Sequence, residues 1–143
     1  MDNLICLDLE GTLISNAVSQ IPRPGLHKFL DQLSMIGEIV LFTSVSPQRT
    51  QVIKELLVKE GCAPGWFLNV PSVHPKATTK FKRNVPNFLN YQRVLLVDDQ
   101  AAVIAETETD WWVAASEYLP PYPPDDRELE AVLHRIRERV RRS

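Results

Sequence analysis

Two carboxylates, Asp8 and Glu10, stand one residue apart, with Leu4-Ile5-Cys6-Leu7 before them and Gly11-Thr12 directly after. A second acidic pair, Asp98-Asp99, closes another apolar run, Val94-Leu95-Leu96-Val97. A hydroxyl pair, Thr43-Ser44, ends a third, Ile39-Val40-Leu41-Phe42. Short continuous apolar runs read as strands buried on both faces. Strands running parallel place all three polar ends at one sheet edge, the edge where α/β proteins bind ligands. Any one of these pairs is ordinary as a helix start. Three at the same edge point to a site.

The chemistry follows from the residue types. Asp8, Asp98 and Asp99 are hard oxygen donors, which suits magnesium (Mg2+) held through a few carboxylates, with water and phosphate oxygens completing its shell. No Cys or His spacing suggests zinc. Beside a bound phosphate, one carboxylate can attack phosphorus and form an acyl phosphate. The phosphoryl oxygens then need donors and positive charge, for which Thr43, Ser44 and a lysine are suited. Glu10 is placed to protonate the leaving oxygen and later to activate water. Gly11 lets the chain turn sharply beside the phosphate.

The elements that must position these groups alternate. Pro24 opens a helix carrying Leu26, Phe29, Leu30 and Leu33, and Gly37 stops it. Ser46-Pro47 opens a second helix with Val52, Ile53, Leu56 and Leu57 as its apolar face, closed by Gly61. Trp66 to Val70 reads as a short strand, residues 72–78 as loop, and residues 79–89 as a helix limited by Pro86, with Phe81, Val85, Phe88 and Leu89 inward. A short helix at 101–106 and a strand at 111–115 follow the acidic pair. Pro120, Pro121, Pro123 and Pro124 predict a stiff extended connector. The last helix starts near Asp125 and Asp126, with Leu129, Val132, Leu133, Ile136 and Val140 as its apolar stripe. Strand–helix alternation of this kind specifies a mainly parallel sheet with helices on both faces.

The whole chain of 143 residues suits one domain, 1–143. Its hydrophobic content of 44%, charged content of 24% and net charge of -2 are those of an ordinary globular protein and argue against a general nucleic-acid binder. Two cysteines make no disulfide framework, and no basic leader or membrane-length apolar run is present, so a cytoplasmic protein is expected. His27, His74 and His134 are scattered and read as surface residues. The arginines of residues 135–142 suit the negative end of the last helix.

Asp8-Leu9-Glu10-Gly11-Thr12-Leu13 resembles the first motif, Asp-x-Asp-Gly-Thr, of the haloacid dehalogenase-like (HAD) phosphohydrolases. Val40-Leu41-Phe42-Thr43-Ser44 is similar to their second motif and Val94 to Asp99 to their fourth. Within that superfamily, Arg23-Pro24-Gly25-Leu26 and Leu41-Phe42-Thr43-Ser44 are most similar to the small phosphatases related to the NLI-interacting factor and the RNA polymerase C-terminal-domain phosphatases. The resemblance implies a Rossmann-like three-layer α/β sandwich. It implies Asp8 as nucleophile and Mg2+ ligand, and Glu10 as general acid/base and, through its carbonyl, ligand. Thr43 would hold the phosphoryl group with Ser44 beside it, and Asp98 and Asp99 the metal. The resemblance also implies a phosphate-binding lysine from the third motif. Lys80 and Lys82 both lie at a workable distance before Asp98, with Lys80 the first choice, and Lys76 is third.

Neither the loop after Leu13 nor residues 61–79 can fold as the cap that larger members carry. The resemblance therefore implies an open, capless site, suited to a phosphorylated protein or another large phosphomonoester. Glu10 departs from the family's usual Asp by one methylene, which predicts slowed turnover. Against this stands a non-catalytic phosphate-binding or regulatory module on the same framework. A receiver-like phospho-acceptor domain ranks last, because its acidic pair comes at the first strand and its phosphorylated Asp after the third.

Overall fold

The computed structural model describes residues 2–142. Five parallel strands form one sheet: β1 (Asn3–Leu7), β2 (Glu38–Phe42), β3 (Ser72–Val73), β4 (Arg93–Asp98) and β5 (Trp112–Ala114). Their spatial order is β3-β2-β1-β4-β5, so the chain steps outward from β1 on one side, then crosses to the other. The reversal lies between β1 and β4, which are direct neighbours with Leu7 opposite Val97. At such a reversal the connections on either side leave the sheet on opposite faces, opening a crevice at the strand ends.

That reversal explains the layers. The side chains of Ile5, Leu7, Ile39, Leu41, Leu95, Val97 and Val113 face a core filled from α1 (Leu26–Ser34), α2 (Pro47–Lys59) and α3 (Glu128–Arg141). The alternate residues Leu4, Cys6, Phe42 and Leu96 face a smaller cluster with Val85 and Trp111. Right-handed crossovers put the β3–β4 and β4–β5 connections on this second face. Helices are expected on both faces; the second carries short 3-10 turns instead, at Lys82–Asn84, Phe88–Asn90, Ala101–Val103 and Glu106–Trp111.

Several local expectations change. Trp66 to Val70 is not a strand: Gly65–Asn69 forms a 3-10 turn that buries Phe67, and the strand is Ser72–Val73, expected as loop. A five-residue apolar run without alternation carries no period to separate the two. Residues 79–89 form no α-helix, and Leu89 is 83% exposed. In α2 the inward face is Thr50, Ile53, Lys54 and Leu57, whereas Val52 lies outside. Lys54 is buried because its ammonium bonds the carbonyl of Val70. The proline connector is a tight reversal rather than an extended strut. Tyr122 N donates to Leu119 O at 2.9 Å, the Pro120–Pro121 bond is cis, and the Tyr118 and Tyr122 rings lie 5.0 Å apart. Among the described residues, no helix is long and apolar enough to cross a membrane.

Candidate active site

Lys80 ties three strand ends together. Its Nζ lies 3.0 Å from Asp8 Oδ1 just beyond β1, 2.5 Å from Asp98 Oδ2 at the end of β4, and 2.9 Å from the carbonyl of Phe42 closing β2. An ammonium has three donors, and all three are used. Lys80 is 4% exposed. Its backbone is fixed by a bond from its N–H to Val103 O at 2.8 Å and by a bridge to Ile104, so an irregular segment is pinned where the charge is needed.

Asp8, Asp98 and Asp99 converge, with one carboxylate oxygen from each lying within 4.8 Å of the others. Thr12 Oγ1 lies 3.0 Å from Asp8 Oδ2 and 3.2 Å from Asp99 Oδ1, so its single proton serves one acid at a time. Gln100 steadies the pair from the other side. Its N–H donates to Asp98 Oδ1 at 2.9 Å and its amide to Asp99 Oδ2 at 2.8 Å. Gly11, at φ +77°, turns the chain between them. A Cβ there would stand 2.5 Å from Asp99 Oδ2, so both the backbone angle and the nearby acid require glycine.

Burial pushes the Asp8 carboxyl well above the usual carboxylate range; Asp98 and Asp99 add to this and Lys80 opposes it. Asp98 is raised too, by burial, again against Lys80. For Lys80, burial disfavours the ammonium, but the charges of Asp8 and Asp98 outweigh it and the pKa rises. Three crowded acids share one cation, and a bound dication would relieve that crowding. The all-oxygen donor set fits Mg2+.

The remaining predicted residues divide. A cleft of about 660 Å³ is lined by Asp8, Glu10, Ser44, Lys80, Asp98 and Asp99, with Ser15, Asn16, Lys76 and Glu117 among its rim. Ser44 is exposed to the cleft, whereas Thr43 is buried beneath it and its Oγ1 accepts from Val45 N at 3.1 Å. Lys76 is an exposed rim residue. Lys82, expected as a second phosphate-binding lysine, is not brought here. The 3-10 turn that begins at Lys82 carries it away, and its Nζ lies 3.7 Å from Asp110 in a separate small cavity. Glu10 lines the cleft, but its Oε2 accepts from the backbone N–H of Ala17 at 2.7 Å.

Several supporting residues escape sequence reasoning. Arg23 is 1% exposed and donates to Ser116 O at 2.7 Å and Thr12 O at 3.3 Å, with Asp126 bound through two more nitrogens. It thereby holds the turn that carries Thr12. Trp112 Nε1 donates to Asp98 O at 3.0 Å. His74, expected at the surface, is half-buried and bonds Val45 O at 2.7 Å, bracing the loop after Ser44. The Pro-Arg-Pro-Gly run marks Arg23 as notable, but its partners are distant in sequence. Nothing near Trp112 or His74 signals their contacts.

Residues 3–143 match the family described as NLI interacting factor-like phosphatase. The chain belongs to that family. It is also similar to an uncharacterized FCP1 homology domain-containing protein of Schizosaccharomyces pombe, 29% identical over 105 residues, covering 64% of this chain and 43% of the relative. The chain thus spans less than half the length of that curated protein. Family membership gives the acid cluster and Lys80 their setting: they are the polar centre of an α/β domain of this family, built on a five-stranded parallel sheet.

Proposed function

We propose that residues 1–143 form one Mg2+-dependent phosphohydrolase domain that works through an aspartyl-phosphate on Asp8. The observation that carries this is the convergence of Lys80 on Asp8, Asp98 and the end of β2. A buried lysine held by two buried acids keeps a fixed positive charge beside the proposed nucleophile, where a phosphoryl group would bring negative charge.

Asp8, Asp98 and Asp99, with the backbone carbonyl of Glu10, would hold the metal. Mg2+ bound there would supply the charge that draws a phosphate monoester in and lowers the repulsion between it and the Asp8 carboxylate. Asp8 then attacks phosphorus while Ser44 and Lys80, which line the cleft, hold phosphoryl oxygens, Lys80 turning to them from Asp8. Thr43 supports this strand end from beneath. Thr12 orients Asp8 by its hydroxyl. Water cleaves the resulting acyl phosphate; Glu10 stands at the family's acid/base position, with its carboxylate seated on Ala17 N.

The cleft's rim is made of loops, with no inserted module between β1 and α1 or between α2 and Lys80 among the described residues. That supports a phosphorylated protein or another large phosphomonoester as substrate, since a partner must itself cover the site. Two free cysteines, one buried in β1, support a reducing, cytoplasmic setting.

Turnover of p-nitrophenyl phosphate with Mg2+, compared between the native chain and Asp8→Asn, tests the reading. Loss of activity in the variant is expected; equal rates overturn it. The bond from Ala17 to Glu10 favours one second reading, a phosphate-binding regulatory module without turnover. Such a module would bind Mg2+ with beryllofluoride yet release no phosphate from any ester.

A further inference from the structure

Glu10 is longer than the aspartate its position resembles, and the structure shows where the extra length goes. Its Oε2 accepts from Ala17 N at 2.7 Å, seven residues along the chain. The Ala17 peptide is anchored on its other side as well: Ala17 O accepts from Gln20 Nε2 at 3.0 Å and from Arg49 Nε, on α2, at 3.2 Å. Asn16 Oδ1 stiffens the same loop by accepting from Val18 N at 2.9 Å and Ser19 N at 2.8 Å. The carboxylate is therefore seated on an anchored loop wall of the cleft. Oε2 is committed to that amide, and the same bond fixes the direction of the carboxylate, so Oε1 is not free to turn toward a leaving oxygen over Asp8.

The consequence concerns which phosphates the site can cleave. When Asp8 attacks, the bond from phosphorus to the leaving oxygen breaks and its electron pair stays on that oxygen. An alkoxide leaving group needs a proton as the bond breaks, and a positioned general acid is typically worth about 10²–10⁴-fold. A phenolate or carboxylate is the more stable anion and gains less from one, least of all p-nitrophenolate and carboxylate.

We infer that Glu10, seated on Ala17, makes this site selective for phosphates whose leaving group is stable as an anion, aryl and acyl phosphates, over alkyl phosphates. This rests on the phosphatase reading above. The balance closes without an external acid. Asp8 carboxylate and an aryl phosphate dianion give the aspartyl-phosphate and a phenolate. Water then attacks phosphorus, the acyl C–O–P bridge breaks at P–O, Asp8 returns as carboxylate, and both of the water's protons leave on the phosphate as dihydrogen phosphate.

The test is a leaving-group series with Mg2+: p-nitrophenyl phosphate, phenyl phosphate, acetyl phosphate and phosphoserine, on the native chain and on Glu10→Asp. The side chain shorter by one methylene is expected to release the Ala17 amide and to serve the leaving oxygen. In the native chain kcat/KM should fall steeply as the leaving group becomes more basic. In Glu10→Asp the preference for p-nitrophenyl phosphate over phosphoserine should shrink by about 10²–10⁴-fold, the worth of the restored acid. The relative rates on acetyl and phenyl phosphate say which source of the anion the site prefers. Hydrogen exchange reads the contact without turnover: the Ala17 amide should be protected in the native chain and exchange about fivefold faster or more in Glu10→Asp, as expected for one lost hydrogen bond. If Glu10→Asp fails to fold, the native series and native Ala17 protection decide alone. A native chain that cleaves phosphoserine as well as phenyl phosphate, or leaves Ala17 unprotected, overturns this inference while the phosphatase reading stands. Release of phosphate from none of the four overturns both.

Discussion

Arg23 grips Asp126 with two nitrogens, Nε to Oδ1 at 2.9 Å and NH2 to Oδ2 at 3.1 Å, across 103 residues of chain. The same guanidinium reaches the carbonyl of Thr12, so the approach to α3 and the turn beside Asp8 share one cation. Burial alone would raise the Asp126 carboxyl, but the Arg23 bonds and the N–H of Glu128 hold it below the usual carboxylate range. A depressed carboxyl stabilises the fold above its unfolded pKa, and that contribution is lost as pH falls through the folded value. Asp126→Asn should cost about 3 kcal/mol at neutral pH, because it leaves a buried guanidinium short of its counter-charge. Urea unfolding should show the gap between native and variant closing as pH drops below the ordinary carboxylate range.

Lys80→Met removes the only cation paired with Asp8 and Asp98 among the ion pairs of the described residues. Two buried acids then face each other unbalanced. We expect a loss of about 3–5 kcal/mol at neutral pH. Both acids already have raised folded values, so their contribution is fullest below the unfolded pKa and disappears as pH rises through the folded one. The defect in Lys80→Met should therefore ease on acidification, which thermal melts across pH 4 to 7 can follow. A defect that deepens on acidification contradicts the proposed pairing.

Gly11→Ala places a Cβ 2.5 Å from Asp99 Oδ2 at a backbone φ of +77°. The backbone strain is worth about 1–2 kcal/mol, and Asp99 must also move. Calorimetric titration with Mg2+ should show weakened binding in this variant. Metal binding to the native chain should raise its stability by about 2.7 kcal/mol at a hundredfold excess over Kd. Asp98→Asn should abolish that gain.

Arginines of α3 cover the open edge of β5. Arg139 NH2 donates to Trp112 O at 2.6 Å and Arg135 NH1 to Ala114 O at 3.0 Å, the carbonyls that face away from the sheet. Unpaired edge carbonyls invite a strand from another chain. The double substitution Arg135→Ala with Arg139→Ala should turn a concentration-independent sedimentation profile into a concentration-dependent one. Turnover of a small ester should not change.

The acids were legible in the sequence because buried parallel strands announce themselves as apolar runs, and chemistry sits at their ends. Asp8, Asp98 and Asp99 needed only that rule to be brought together. Lys80 and Lys82 could not be separated by distance along the chain. Burial separates them, and burial depends on a bridge to Ile104 that leaves no local pattern. Residues 65–92 were the least readable, because 3-10 turns have no sustained period and a two-residue strand shows no alternation. Arg23 illustrates a further limit: its partners Ser116 and Asp126 are 93 and 103 residues away, so neither could be inferred from its neighbours. The position of Glu10 was legible, but its bond to Ala17 depended on how the intervening loop closes.

The strand order sets when the proposed centre can first be completed during synthesis. Asp8 is made before its partners, but β1 lies between β2 and β4. A nascent chain that has delivered only β1, α1 and β2 holds the proposed nucleophile and the hydroxyl pair without Lys80, Asp98 or Asp99. No product that stops before β4 can carry the complete centre, so the proposed activity should be absent from it. Joining two separately expressed pieces, cut between α2 and Lys80, would make recovery of phosphate release a direct reporter of β1 and β4 finding one another.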